Sequence, residues 1–169
     1  MAMDSALIQV VGYKDSGKTT VISSLLQAVT QKGYTCGTIK HHGHGTVSFH
    51  DEGRDTFHHR EAGAIISTIE GGGKTEVCVN KSLTLAEMLH MYTALSLDVI
   101  FIEGYKKNVY PRIVIIKTEE DWSLLSSQTI AVLYWSLDVC KETHIPCFHI
   151  DDQASYSKHV ITYLRSIST

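Results

Sequence analysis

Leu7-Ile8-Gln9-Val10-Val11-Gly12-Tyr13-Lys14-Asp15-Ser16-Gly17-Lys18-Thr19-Thr20 is the stretch that decides the fold. Its first five residues are a short, β-rich apolar run, read as a buried strand. The next eight satisfy G-x-x-x-x-G-K-[ST] at every fixed position. Val21, Ile22, Leu25, Leu26 and Val29 then recur at helical spacing until Gly33 ends the pattern. At average glycine usage a random chain of this length matches the motif in well under about one per cent of cases. Strand, glycine loop and helix together predict a phosphate-binding loop. Gly12 lets the chain leave the strand tightly, and Gly17 lets the backbone approach an anion. The loop amides and the helix N-terminus converge on that anion. Lys18 supplies a cation to terminal phosphates, and the Thr19 hydroxyl is a candidate Mg²⁺ ligand. Lys14 is either a second phosphate cation or a solvated loop lysine.

Outward from this loop, Thr35–Ile39 is a second strand, completing a strand–helix–strand unit that favours a parallel sheet. Asp98-Val99-Ile100-Phe101-Ile102-Glu103-Gly104 is the clearest buried strand. It delivers Glu103 to the carboxyl edge of the sheet, where open parallel sheets bind ligands, and leaves Asp98 at the other edge. Glu103 is therefore the candidate second acid for magnesium; the bland reading pairs it with Lys106 or another cation. Ile113–Ile116, Thr129–Tyr134 and Cys147–Ile150 read as further strands, Ala64–Ile69 and Glu76–Asn80 as strands around the Gly71-Gly72-Gly73 turn, and Thr84–Leu97 and Gln153–Ile167 as helices. The expected architecture is one α/β domain over 1–169, a three-layer P-loop fold with a mostly parallel central sheet.

The stretch from His41 to Arg60 differs in character. It is polar, glycine-bearing and holds His41, His42, His44, His50, His58 and His59. It reads as a long functional loop or flap. Lys40, His41 and His42 follow the second strand and so emerge at the active edge, as candidate anion or second-ligand contacts. Arg54 and Arg60 are further candidate anion contacts, and Asp51 and Asp55 candidate ligands of magnesium or its water shell. A charged, solvated loop is the alternative for all four.

Composition narrows the classes. Hydrophobic residues make up 43% and charged residues 20%, as in an ordinary globular protein. At 169 residues the chain buries about 70% of its unfolded surface and needs no staples. A formal charge of −3 gives no bulk attraction to nucleic acid. Cys36, Cys78, Cys140 and Cys147 form no C-x-x-C pair and read as buried small hydrophobes. No apolar run approaches the ~18 residues of a membrane helix, and Met1–Ala6 has no secretion pattern. The expected location is the cytoplasm.

These residues carry a family likeness. Gly12–Thr20, Thr38-Ile39-Lys40-His41-His42, Gly53-Arg54-Asp55-Thr56, His59-Arg60, Ala62-Gly63-Ala64 and Glu103-Gly104-Tyr105-Lys106 resemble, in order and spacing, the molybdopterin-guanine dinucleotide biosynthesis protein B (MobB) family. Ile145-Pro146 and Asp151-Asp152 extend the likeness towards the C-terminus. The resemblance implies a GTP-binding protein with weak, Mg²⁺-dependent GTPase activity. It implies a homodimer that works beside the guanylyltransferase joining GMP to the molybdopterin cofactor, as adaptor or carrier. Carried over, Gly12–Thr20 bind the nucleotide phosphates, Thr19 and Glu103 serve the magnesium, and Lys40–His42 and Gly53–Arg60 face the ligand groove or the dimer partner. The chain departs from the family at Arg54, where lysine is common, and at Tyr134-Trp135-Ser136, where the family has a small-polar turn with an acid. No Asn-Lys-x-Asp motif for guanine is present. A small-molecule kinase using the 41–60 stretch as a lid, and a nickel-type metallochaperone using the histidines, are the competing readings.

Overall fold

The computed structural model describes residues 5–41, 43, 52–139 and 143–167. These fall into two compact units, the first drawn from Met1–His41 and His90–Thr169, the second from His42–Leu89.

The first unit is built on β1 (Ala6–Val11), β2 (Cys36–Lys40), β5 (Val99–Glu103), β6 (Arg112–Ile116), β7 (Thr129–Tyr134) and β8 (Cys147–His149). They form one six-stranded sheet in the order β2-β5-β1-β6-β7-β8. Every neighbouring pair is parallel. The sheet is thus wholly parallel, and the chain leaves β1 in both lateral directions. That makes the carboxyl end of β1 the switch point at which α/β sheets open a crevice.

Side chains alternate across the strands. Ile8, Val10, Val99, Phe101, Ile113, Ile115, Ala131 and Leu133 point to one face. There they pack on Val21, Leu25 and Val29 of α1 (Lys18–Thr30) and Tyr156, Val160 and Leu164 of α4 (Gln153–Ile167). The opposite face holds Val11, Val114, Ile116 and Val132, covered by Trp122, Leu124 and Leu125 in and after a 3-10 helix over Glu119–Leu124. Further along that face a Cβ at Gly37 would meet Leu97 Cδ1 at 2.6 Å and Tyr92 Cε2 at 3.0 Å. Only glycine lets those two side chains lie on β2. The three layers expected from the sequence are present.

In the second unit, β3 (Ile66–Gly71) and β4 (Lys74–Val79) pair antiparallel as a separate two-stranded ribbon. α2 (Asp55–Glu61) is a short helix inside the stretch expected to be loop, and its one buried residue is Arg60. α3 spans Leu85–Tyr92, its residues from His90 on belonging to the first unit, and gives way to a 3-10 turn over Thr93–Leu95 and a left-handed Ser96 at φ 48°. The helix expected to reach Leu97 therefore stops five residues early, because a non-glycine residue in that conformation ends the α ladder. Among the described residues no helix is long and apolar enough to cross a membrane.

Candidate functional site

The glycine loop lies between β1 and α1. A Cβ on Gly12 would sit 2.4 Å from Ser16 Oγ and 3.3 Å from Ile115 Cβ. Gly17 has φ 94°, a backbone that other residues rarely adopt, and a Cβ there would meet Ile150 Cδ1 at 3.1 Å. Asp15 also lies in the left-handed region, at φ 56°. Three carbonyls of the loop are held by donors. Lys18 Nζ donates to Tyr13 O at 2.6 Å, Lys117 Nζ to Asp15 O at 3.4 Å, and Trp135 Nε1 to Ser16 O at 3.0 Å. These donors occupy loop carbonyls from three directions along the chain: the loop's own lysine and the residues that follow β6 and β7. Gly17 precedes the first residue of α1, which has no side-chain cap and no acid in its first turn to compete with an anion there.

Glu103 closes the other side. It ends β5, lies in register with both Lys40 of β2 and Val10 of β1, and is buried. Thr19 Oγ1 donates to Glu103 Oε2 at 3.2 Å. Lys40 Nζ lies 3.2 Å from Glu103 Oε1 and 3.4 Å from Thr19 Oγ1. Thr19 and Glu103, the two residues expected to serve magnesium, are thus brought together. Thr19 Oγ1 and the nearly buried Glu103 carboxylate would be the residues to hold Mg²⁺ here. Hydroxyl and carboxylate oxygens are also the donors that this hard cation takes, so the residues fit the metal. Burial pushes the Lys18 ammonium below the ordinary lysine range; Glu103 opposes this, and the charges of Lys106 and Lys40 reinforce it. The cluster carries several cations and one nearly buried carboxylate, an environment suited to a polyanion.

The remaining expected residues are placed as follows. Tyr13 is exposed, with Lys106 Nζ 3.6 Å from its ring centroid. Lys14 lines an open cavity of about 310 Å³ with Ser16, Lys117 and Glu120. Thr20 is exposed on the first turn of α1. His41 donates its backbone N–H to Glu103 O at 3.0 Å, and its ring lies 4.8 Å from that of Tyr105. Arg54, Asp55 and Arg60 belong to the second unit. There Arg60 is buried and donates to Ser67 Oγ at 2.7 Å and Thr56 O at 3.2 Å. His42 and Asp51 lie outside the described residues. No group of three His, Cys, Asp or Glu side chains that would hold a metal is found among the described residues.

Three residues of the site were not anticipated. Gln9 is fully buried within an otherwise apolar strand, and its Nε2 donates to Gly104 O and Tyr105 O, both at 2.7 Å. It ties down the turn after Glu103, where Gly104 and Tyr105 adopt φ of 86° and 53° in succession. A polar residue amid apolar neighbours was the available signal. Lys117 and Trp135, which brace the loop, follow β6 and β7; their distance along the chain hides the contact.

A glycine loop that joins the first strand of a parallel sheet to a helix at the switch point, with a lysine and a strand-borne acid beside it, defines the α/β P-loop class. Within that class the assignment is specific. The family described as molybdopterin guanine dinucleotide synthesis protein B (MobB) matches residues 7–135, and the chain belongs to that family. It is 37% identical over 149 residues to the Bacillus subtilis (strain 168) protein named "Probable molybdopterin-guanine dinucleotide biosynthesis adapter protein", covering 86% of each chain. The crystal structure of Bacillus subtilis MobB superposes with a TM-score of 0.80 at 34% identity, over 93% of this chain and 96% of that one. A MobB homologue from Bacillus stearothermophilus superposes with a TM-score of 0.76 at 30% identity, over 95% and 98%.

Proposed function

We propose that this protein is a GTP-binding adapter for the conversion of the molybdopterin cofactor to its guanine dinucleotide form, working in the cytoplasm beside the guanylyltransferase. The observation that carries the reading is the joining of Lys18, Thr19 and Glu103 around the Gly12–Gly17 loop, in a chain of this family. The loop binds and orients the triphosphate, Lys18 neutralises its terminal charge, and Thr19 and Glu103 hold Mg²⁺. The metal, when bound, supplies further charge neutralisation at the phosphates. Lys117 and Trp135 keep the loop shaped by holding its carbonyls. None of the residues assigned here orients an attacking water, so hydrolysis is slow and the nucleotide serves chiefly as bound cargo or signal. Guanine preference, with GTP and Mg²⁺ as the ligands, is part of the same proposal, and membership of this family supports it.

The homodimer belongs to the same proposal. The β3–β4 ribbon exposes Ile65 (62%), Ile66 (54%), Ile69 (50%) and Val77 (45%). A lone two-stranded ribbon is marginally stable in water, and among the described residues no third strand pairs with it. A second copy of the chain meets both needs by pairing edge to edge.

The adapter role is tested by mixing the purified protein with the cofactor guanylyltransferase, molybdopterin cofactor and GTP. The expected result is co-purification with the transferase and a higher yield of dinucleotide cofactor. No complex together with an unchanged yield contradicts the role.

A further inference from the structure

The oxygens that fit a divalent cation already hold a cation, and it comes from the chain itself. Lys40 Nζ lies 3.2 Å from Glu103 Oε1 and 3.4 Å from Thr19 Oγ1, while Thr19 Oγ1 lies 3.2 Å from Glu103 Oε2. The ammonium thus bridges the same hydroxyl and carboxylate that were assigned to Mg²⁺. The arrangement is built in by the sheet. β2 and β5 are hydrogen-bonded neighbours with Lys40 and Glu103 in register, and the next residue fastens the end of β2 through His41 N–H to Glu103 O at 3.0 Å.

The geometry points to Lys40 as a displaceable internal cation that keeps Thr19 and Glu103 in metal-ready positions and competes with free divalent metal until a polyphosphate draws it away. The proposal rests on the P-loop reading of the site. Two features make the lysine displaceable. Its side chain is 55% exposed, against 11% for Glu103, so solvent screens the pair and holds its strength low. Its ammonium also sits on a flexible four-carbon stem, free to swing onto phosphate oxygens beside Lys18. A compact ammonium and a divalent ion cannot both sit against the Thr19 hydroxyl and the Glu103 carboxylate, because their repulsion at contact is severe. Metal therefore enters together with the nucleotide that removes Lys40, and the protein alone does not sequester Mg²⁺. Lys18 also interacts electrostatically with Glu103, and Lys40 and Lys106 with Lys18.

The test is Mn²⁺ titration without nucleotide, followed by the electron paramagnetic resonance signal of the free ion, on wild type, Lys40→Met, Lys40→Arg and the double variant Lys40→Met/Glu103→Gln. Lys40→Met is expected to bind Mn²⁺ about tenfold more tightly than wild type. Lys40→Arg, which keeps the charge, should stay near wild type, and the double variant should lose the gain. Equal or weaker Mn²⁺ binding by Lys40→Met overturns the proposal, as does a gain that survives removal of the Glu103 charge. GTP titration with Mg²⁺ separates this from the parent reading. Failure of wild type to bind GTP refutes the P-loop assignment, whereas normal GTP binding with no gain in Lys40→Met refutes the role of Lys40 alone.

Discussion

The two units of the chain solve the problem of burial in opposite ways. In the first, Ile8, Val10, Leu25, Phe101, Ile113 and Leu133 are completely inaccessible, and the sheet is covered on both faces. In the second, the buried described residues are Arg60, Ser67, Cys78, Leu85 and Leu89, while Ile65, Ile66, Ile69 and Val77 stand exposed. One unit has a core of its own. The other has a polar pair, Arg60 to Ser67, inside and isoleucines outside. The contrast separates a scaffold with its own core, which presents the loop, from a ribbon that leaves large apolar side chains exposed.

The largest expected effect sharpens this contrast. Phe101→Ala in the first unit should cost about 3–5 kcal/mol in a chemical unfolding experiment, as for other fully buried aromatics. Ile66→Lys in the ribbon should shift unfolding by only about 0.5 kcal/mol at a protein concentration where monomer dominates. It should, however, lower the concentration-dependent mass measured by sedimentation. Equal destabilisation by the two substitutions would break the comparison.

Gln9→Leu comes next. It leaves the carbonyls of Gly104 and Tyr105 without their donor, at a cost of about 1–3 kcal/mol. Because the turn positions the end of β5, GTP affinity should fall as well. Thermal melts with and without GTP and Mg²⁺ read both effects, and an unchanged ligand-induced shift would show that the turn does not position Glu103.

The smallest effects concern two exposed carboxylates, one from each unit. Asp98 accepts the backbone N–H and the hydroxyl of Thr35, at 2.6 and 2.7 Å. Glu87 accepts the same two groups of Thr84, at 2.8 and 2.9 Å. These backbone hydrogen bonds, first, and the hydroxyls, second, hold both carboxyls below the ordinary range. A folded-state value below the unfolded one means that the stabilisation is present above the unfolded value, near pH 4, and is lost as pH falls through the depressed one. Asp98→Asn and Glu87→Gln should each flatten the loss of stability on the acid side of about pH 4 and leave the slope near neutrality unchanged. A steeper acid slope in either variant would contradict the assignment.

The parts of the fold that were legible in the sequence are those whose cause is local. An apolar run into Gly12, helical spacing after Gly17, and four apolar residues into Glu103 each carry their signal within a few positions, and the structure joins them as expected. Lys40 was placed at the same edge for the same reason. His41–Arg60 reads as loop because it is polar, glycine-bearing and rich in histidine, yet α2 forms at its end and buries an arginine. Ala64–Ile69 reads as an apolar strand and Glu76–Asn80 as a short one, but whether an isoleucine faces a core or solvent is decided by what lies beyond it. The Trp135 to Ser16 brace spans 119 positions, and the Tyr134-Trp135-Ser136 departure showed that something had changed there without showing what it touches. Lys40 bridging Thr19 and Glu103 likewise needs two strands and a helix to be seen at once.

The most direct test of the central claim is calorimetric titration of wild type and Lys18→Ala with GTP and with ATP, each with Mg²⁺. The account predicts that GTP binds more tightly than ATP and that Lys18→Ala weakens GTP binding by at least about a hundredfold, as for loss of a charge-assisted contact at the phosphates. GTP binding left intact in Lys18→Ala would contradict the assignment of Gly12–Thr20 as the phosphate-binding loop, and tighter binding of ATP would contradict the guanine preference.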